Sequence, residues 1–281
     1  MMLAALMPGG VQASAPVPRG YELTLAQGSR LLIAATVNGV AVTALLDSAA
    51  ESTILDRTFA RRLKLHGVST VTGQGSGKST FDADIVNGVR LSSAGLTLRN
   101  QTVAVADLSD VGKRLLGRRL DIILGRELFD AARIRIDVDG HRLEIVDASA
   151  MPRGVRVELT TEAGIESMPV KVEDGATVLA TFDLGNGGNV RVGQEFATRA
   201  GLLTDGRAVK TENGGGLGGE TVRSVVRLRS IEVAGQRFID VPAAVDAQPN
   251  AASLNLGVSI LRHFIITTDF AHHALWLEPR T

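Results

Sequence analysis

Two aspartates stand at equivalent points of two similar stretches. Asp47 follows the apolar run 40–46 and precedes Ser48-Ala49-Ala50, then a second short apolar run, Ile54-Leu55. Asp183 follows the run 178–182 and precedes Leu184-Gly185-Asn186-Gly187, then Val190-Arg191-Val192. A carboxylate set directly after a buried strand costs several kcal/mol to desolvate, or else its pKa rises. One such Asp often does no more than start a turn. Two in register, 136 residues apart, read instead as a pair of acids meeting at a pseudo-twofold axis. Carboxylates held about 3 Å apart cannot both ionise and share one proton. The charged member can take a proton from a water, which attacks a peptide carbonyl whose oxygen the other acid protonates. This chemistry requires no metal, no cofactor and no covalent intermediate. It suits a chain with no cysteine and five histidines.

The elements around these acids are short and strand-like. Runs 31–37 and 40–46 flank Asn38-Gly39, a two-residue hairpin signal. A helix of about two turns is expected after Asp56 as N-cap, with Phe59, Leu63 and Leu65 inward. Runs 86–91, 96–98 and 103–105 read as strands, and 120–125 is an apolar run closed by Gly125. Residues 133–138 alternate, placing Ile134, Ile136 and Val138 on one face; a turn is expected at Asp139-Gly140 and a returning strand at 141–146.

After residue 147 the order of elements begins again. Glu22-Leu23-Thr24 matches Glu158-Leu159-Thr160, the helix after Asp56 matches 193–203, Leu124-Gly125 matches Leu256-Gly257, and Asp137 matches Asp269. The Gly-rich stretch 67–80 has its counterpart in 212–220. Two copies make a duplicated lobe, not a solenoid. The expected fold is all-β, with two similar β-barrel-like lobes from an internal duplication and short helices. The expected division is a first lobe over 21–148, a linker at 149–154 holding Pro152, and a second lobe over 155–281.

At its two Asp stretches the chain resembles the retroviral-type and pepsin-type aspartic proteases, in the bacterial version with both lobes in one chain. The family motif is an apolar strand followed by Asp-Thr-Gly-Ala/Ser, with a hydrophobic-hydrophobic-Gly segment downstream. The first motif stands here as Asp47-Ser48-Ala49-Ala50 with Ile123-Leu124-Gly125, the second as Asp183-Leu184-Gly185-Asn186 with Asn255-Leu256-Gly257. The resemblance spans about residues 21–279. It implies an endopeptidase acting on peptide or protein substrates, as a monomer, with Asp47 and Asp183 catalytic and a cleft between the lobes. It also implies loop support from Ser48, Ala49 and Gly185, and flaps carrying Gly75 and Gly216 that close over the substrate. Three departures stand out. Ser48 replaces the family threonine but keeps a hydroxyl. Leu184 has none, which leaves the reciprocal threonine lock half made. Ala49 stands where the family has glycine, a position at which the resemblance implies glycine's conformational freedom. These departures give a second expectation: a protease-like module that binds peptides or other ligands without efficient turnover.

Composition narrows the remaining classes. Hydrophobic residues make up 44% and charged residues 21% of the 281, which supports a sizeable core. Net charge is zero, so nothing favours a nucleic-acid partner. Without cysteine there are no disulfides, thiolate metal sites or Cys nucleophile. The opening segment, Met2 to Met7 with Ala13-Ser14-Ala15, has the pattern of a cleaved targeting peptide within 1–20 and implies export, periplasmic or secreted. No later run approaches the roughly 18 apolar residues of a membrane span. Residues 73–80 resemble a phosphate-binding loop, but Thr72 stands where its first glycine belongs. Asp137-Val138-Asp139-Gly140 lacks the spacing of a calcium loop and reads as a hairpin turn. The adjacent His272 and His273 face opposite sides of a strand, which makes them a poor metal site. They are expected at the last hairpin turn, and the strand from Ala274 to Leu277, which contains Trp276, is expected to pack on the second lobe's core.

Overall fold

A computed structural model describes residues 20–175, 177–204, 206–249 and 251–280. The targeting segment expected within 1–20 lies outside the described residues, apart from Gly20. The fold is all-β, with two lobes and a few short helices. Asn38 (φ 50°) and Gly39 (φ 87°) form the two-residue turn between strands Arg30–Val37 and Val40–Leu46. Both central residues take the left-handed region that such a hairpin demands. Asp56 caps helix Arg57–Arg62 by accepting from the Thr58 and Phe59 amides, while Phe59 is buried and Leu63 and Leu65 pack on the core.

Each lobe repeats one plan. In the first, strand Ile122–Leu124 lies between Val40–Leu46, parallel to it, and Ile54–Asp56, antiparallel to it. In the second, strand Leu254–Leu256 lies in the same way between Thr177–Phe182 and Val190–Gly193. The chain therefore loops out after Leu46 and after Phe182 and returns across the same inserted strand. Pairing of Val37 with Leu91 and of Val172 with Ile231 curls each sheet back on itself, giving the barrel-like shape.

The halves share more than a linker. Residues 149–154 run from strand Arg142–Ile145 to strand Val155–Glu158. The latter pairs with Ala274–Pro279, which pairs with Phe264–Asp269, which pairs with Ile134–Asp137 of the first half. The first-half sheet thus continues into a thirteen-stranded sheet that includes the C-terminal hairpin. Arg133 donates to Asp269 at 2.7 Å within this shared sheet. One apolar core runs through both halves, from Leu23 and Phe59 to Phe182 and Phe264.

Several local expectations need revising. The runs 96–98 and 103–105 belong to a single strand, Leu96–Ala106, paired with the long strand Thr80–Ser93, which bulges near Gly88. The turn expected at Asp139-Gly140 does form, over 138–141, with His141 (φ 53°) as its left-handed residue and the Asp137 carboxylate accepting from the Gly140 amide at 2.7 Å. His273 (φ 46°) turns the last hairpin. The last strand, Ala274–Pro279, packs on the core through Leu275 and Leu277, while Trp276 points to the other face, between the guanidinium groups of Arg133 and Arg156. Residues 73–80 form a β-hairpin tip, not a strand–loop–helix. Residues unread in the sequence, between 106 and 120, form a helical insert, Ser109–Val111 and Gly112–Leu116.

Candidate active site

The two turns that follow the inserted-strand crossings carry the acids. The Asp47 amide donates to Leu124 O and the Asp183 amide to Leu256 O, each at 3.0 Å. These matching bonds tie each acid to the hydrophobic-hydrophobic-Gly strand beside it. The closing glycines are there for space. A Cβ on Gly125 would lie 2.7 Å from the Ser52 backbone, and one on Gly257 2.3 Å from Asn186 O. Any side chain would push the acid-bearing loop away.

The turns also touch each other. A Cβ on Gly185 would fall 2.3 Å from the Asp47 carboxyl carbon. Glycine at 185 is thus required by close approach to the opposite acid; its φ is not in the left-handed region. Ala49 also avoids that region, so the methyl group causes no backbone strain. Its amide donates to Asp47 Oδ1 at 2.9 Å. Ser48, almost fully buried, donates its hydroxyl to Phe182 O at 2.8 Å and accepts from the Leu184 amide at 2.9 Å. Leu184 returns nothing, since its side chain is in the core. The lock across the axis is made from one side only.

The surroundings of the acids differ sharply. Asp47 lies within electrostatic reach of Asp183, and its pKa is pushed up to about 7, by burial first and by the Asp183 charge second. Amide donors from Ala49 and Ala50 and the charge of Arg191 oppose the rise. Asp183 is surrounded by donors. Arg191 donates to Oδ2 at 2.6 Å, Asn255 to Oδ2 at 2.7 Å and the Asn186 amide to Oδ1 at 2.9 Å. Asn186 also donates to Asn255 Oδ1 at 2.8 Å, which fixes the way the Asn255 amide points.

Gly75 and Gly216 lie in the tips of two hairpins, between strands Ser69–Gln74 and Thr80–Ser93 and between Ala208–Gly214 and Thr221–Val233. The tips meet. The Gly77 amide donates to Leu217 O at 2.8 Å and the Ser79 amide to Gly218 O at 3.0 Å. Each tip is also held from the opposite lobe. Arg223 and Gln248 donate to Ser76 O and Gly77 O at 2.6 and 2.9 Å. Arg114, on the helical insert, donates to Gly215 O and Gly216 O, each at 3.0 Å. Glycine at the tips lets backbone meet backbone, since a Cβ on Gly75 would lie 2.5 Å from Leu217 O.

Sequence reasoning brought Asp47, Asp183, Ser48, Ala49 and Gly185 into one neighbourhood, and Gly75 and Gly216 into another. It missed Arg191, Arg30, Arg114 and Arg223. A signal existed for two of them. Arg191 interrupts a buried β-run, and Leu108, Val111, Leu115 and Leu116 have the spacing of an amphipathic helix carrying Arg114. Among the described residues no cluster of three or more His, Cys, Asp and Glu is arranged to hold a metal ion. No helix of the described residues is long and apolar enough to cross a membrane.

No curated protein sequence matches the chain. A family model described as "Aspartyl protease" matches it twice, over residues 33–128 and 168–260. Each match contains one acid-bearing turn and its closing hydrophobic-hydrophobic-Gly strand, and together they cover more than half of the chain. The chain belongs to this aspartyl protease family.

Proposed function

We propose that the protein is an endopeptidase that hydrolyses peptide bonds with a water activated between Asp47 and Asp183. The observation that carries this reading is the approach of the two turns, with Gly185 against the Asp47 carboxyl and each acid within electrostatic reach of the other. The surroundings divide the roles. Both oxygens of Asp183 accept from donors, the arrangement of a carboxylate, so Asp183 is the base. Asp47 keeps its proton up to about pH 7 and is the acid. Water attacks the peptide carbonyl carbon while Asp183 takes a water proton and Asp47 gives its own to the carbonyl oxygen. The tetrahedral diol then collapses. The C–N bond breaks, the nitrogen leaves with the proton from Asp183, and a diol hydroxyl returns a proton to Asp47. The meeting hairpin tips cover the substrate and exclude bulk water.

A second reading, peptide binding without turnover, draws on the Arg191–Asp183 ion pair and on the one-sided lock at Ser48. The ion pair occupies Asp183 Oδ2, an oxygen that a bound water would otherwise share, and small misplacement of a catalytic group costs about a hundredfold in rate. Digestion of a denatured protein or a peptide library between about pH 3 and 7, with Asp47→Asn and Asp183→Asn as controls, separates the two. Products from the wild type alone support hydrolysis. Saturable binding that survives both substitutions, with no products at any pH, supports the second reading.

A further inference from the structure

Four arginines gather at the Asp183 side of the cleft, and one of them differs from the rest. Arg191 has Asp183 at 2.6 Å, Arg114 has Asp110 at 2.7 Å and Arg223 has Asp246 at 3.2 Å. Arg30 has no carboxylate within 4.0 Å among the described residues, and donates only to the carbonyls of Gln27 (2.8 Å) and Leu115 (3.4 Å). It is nevertheless part of the site. Its side-chain stem packs against the turn that carries Asp183, since a Cβ on Gly187 would lie 2.6 Å from Arg30 Cγ. It is within electrostatic reach of Asp183, Arg191 and Arg114. Burial and the two neighbouring arginines hold its pKa down, and only Asp183 opposes them.

Hydrogen bonding points the same way. The buried Nε–H groups of Arg30, Arg191 and Arg223 have no acceptor. Buried donors are almost always satisfied. Arg191 lies within electrostatic reach of both Arg30 and Arg223, and among the described residues Arg30 is the member of this chain of guanidinium groups that has no carboxylate. An oxygen anion meets that need, and a guanidinium binds a carboxylate through two parallel N–H groups.

We propose that Arg30 is a specificity-determining residue and that the substrate is an acidic peptide, with a carboxylate near the scissile bond docked on Arg30 beside Asp183. The proposal rests on the reading of the cleft as a peptide-hydrolysing site. The acidic group supplies the charge that Arg30 lacks.

The test is a set of matched, C-terminally amidated peptides carrying Glu or Gln at each position flanking the cleaved bond, assayed at about pH 6, where free Glu is ionised. Wild type, Arg30→Gln and Arg30→Lys are compared by kcat/KM, and binding of the same peptides is measured in parallel by fluorescence anisotropy. The expected result is a preference of roughly tenfold for Glu at one position, as for a charge-assisted hydrogen bond. Arg30→Gln abolishes it, and Arg30→Lys, which keeps the charge, retains most of it. A preference equally strong in Arg30→Gln, or no preference in the wild type, overturns the proposal. If no peptide is cut, the hydrolytic reading fails. Glu-selective binding lost in Arg30→Gln would then still support the anion site, and equal binding of Glu and Gln peptides would overturn it. Repeating the best pair with a free C-terminus shows whether a side chain or a chain end supplies the carboxylate.

Discussion

Residues around Asp47 and around Asp183 occupy the same positions of one duplicated plan, yet the two acids live in different solvents. In the first lobe Ile123 pairs with Leu45 and with Ile54. In the second, Asn255 pairs with Thr181 and with Arg191. Asn255 thus stands where the first lobe has Ile123, and Arg191 where it has Ile54. The Ile pair lies on an apolar cluster with Leu45 and the helical insert, while Asn255 and Arg191 both donate to Asp183. Duplication supplied a symmetric backbone. Two positions that differ between the lobes set the polarity beside each acid: Asn255 and Arg191 donate to Asp183, while Ile123 and Ile54 at the matching positions offer Asp47 no side-chain donor. On the proposed mechanism this difference divides the pseudo-symmetric pair into an acid and a base before any substrate arrives.

The largest effect is expected from removing either acid. Asp47→Asn and Asp183→Asn each lose about 10³-fold or more in kcat/KM, as for a general acid or base. Steady-state cleavage of a fluorogenic peptide measures this. Unequal losses, with one variant nearly unaffected, would break the division of roles. Next comes the ion pair. Arg191→Ile gives the second lobe the first lobe's residue and leaves a buried Asp183 without its cation. The loss is about 3 kcal/mol of stability at neutral pH, as for breaking a buried pair from one side, read from urea denaturation. Because the Arg191 charge also holds the Asp47 pKa down, this variant should move the alkaline limb of the pH–rate profile upward.

Asp47 itself ties activity and stability to pH. Its pKa is raised from the ordinary 3.8 to about 7 in the fold, so the folded protein keeps a proton that the unfolded chain has released. The stabilisation is complete below about pH 4 and is lost as pH rises through about 7, at up to about 1.4 kcal/mol per unit. Asp137, Glu173 and Asp269, whose pKa values are lowered by arginine partners among other donors, act in the opposite sense and lose their contribution as pH falls. The Asp47 contribution is therefore isolated by difference. Asp47→Asn should gain stability relative to wild type between about pH 4 and 7 and keep a constant advantage above. Wild-type kcat/KM should hold below about pH 7 and fall above it, where folded Asp47 loses its proton. A flat difference across that range would show that Asp47 is not the proton-bearing member.

Much of this was legible in the chain because it is written in local patterns. The apolar run, the Asp, the small residues and the closing Leu-Gly recur in order, and each reflects a requirement of the crossing strands. Asn38-Gly39 and Asp56 announce a turn and a cap through their own backbone chemistry. The polarity around Asp183 was not legible, since Arg191 and Asn255 are 64 residues apart and only the strand order sets them side by side. The meeting of the hairpin tips is also a long-range fact. So is the place of Trp276, whose strand parity was readable but whose neighbours come from elsewhere in the chain, Arg156 from the paired strand and Arg133 from just before strand Ile134–Asp137.

The smallest expected effect probes the lock between the lobes. Ser48 is the one hydroxyl joining the two acid-bearing turns, donating to Phe182 O and accepting from the Leu184 amide. Ser48→Ala removes both bonds and leaves a buried amide and a buried carbonyl without a partner. The cost is about 1–2 kcal/mol, less than for Arg191→Ile, because neutral groups lose less than charged ones. The rate should suffer more than this stability loss alone would suggest. Gly185 lies against the Asp47 carboxyl, so a turn freed at Leu184 shifts one acid relative to the other, and a misplacement of about 1 Å costs about a hundredfold. Differential scanning calorimetry and kcat measured on the same preparation check both. Ser48→Thr keeps the hydroxyl and should retain most of the activity. If Ser48→Ala keeps full kcat, the turns are positioned by their closing Leu-Gly strands alone, and the missing hydroxyl at Leu184 has no bearing on turnover.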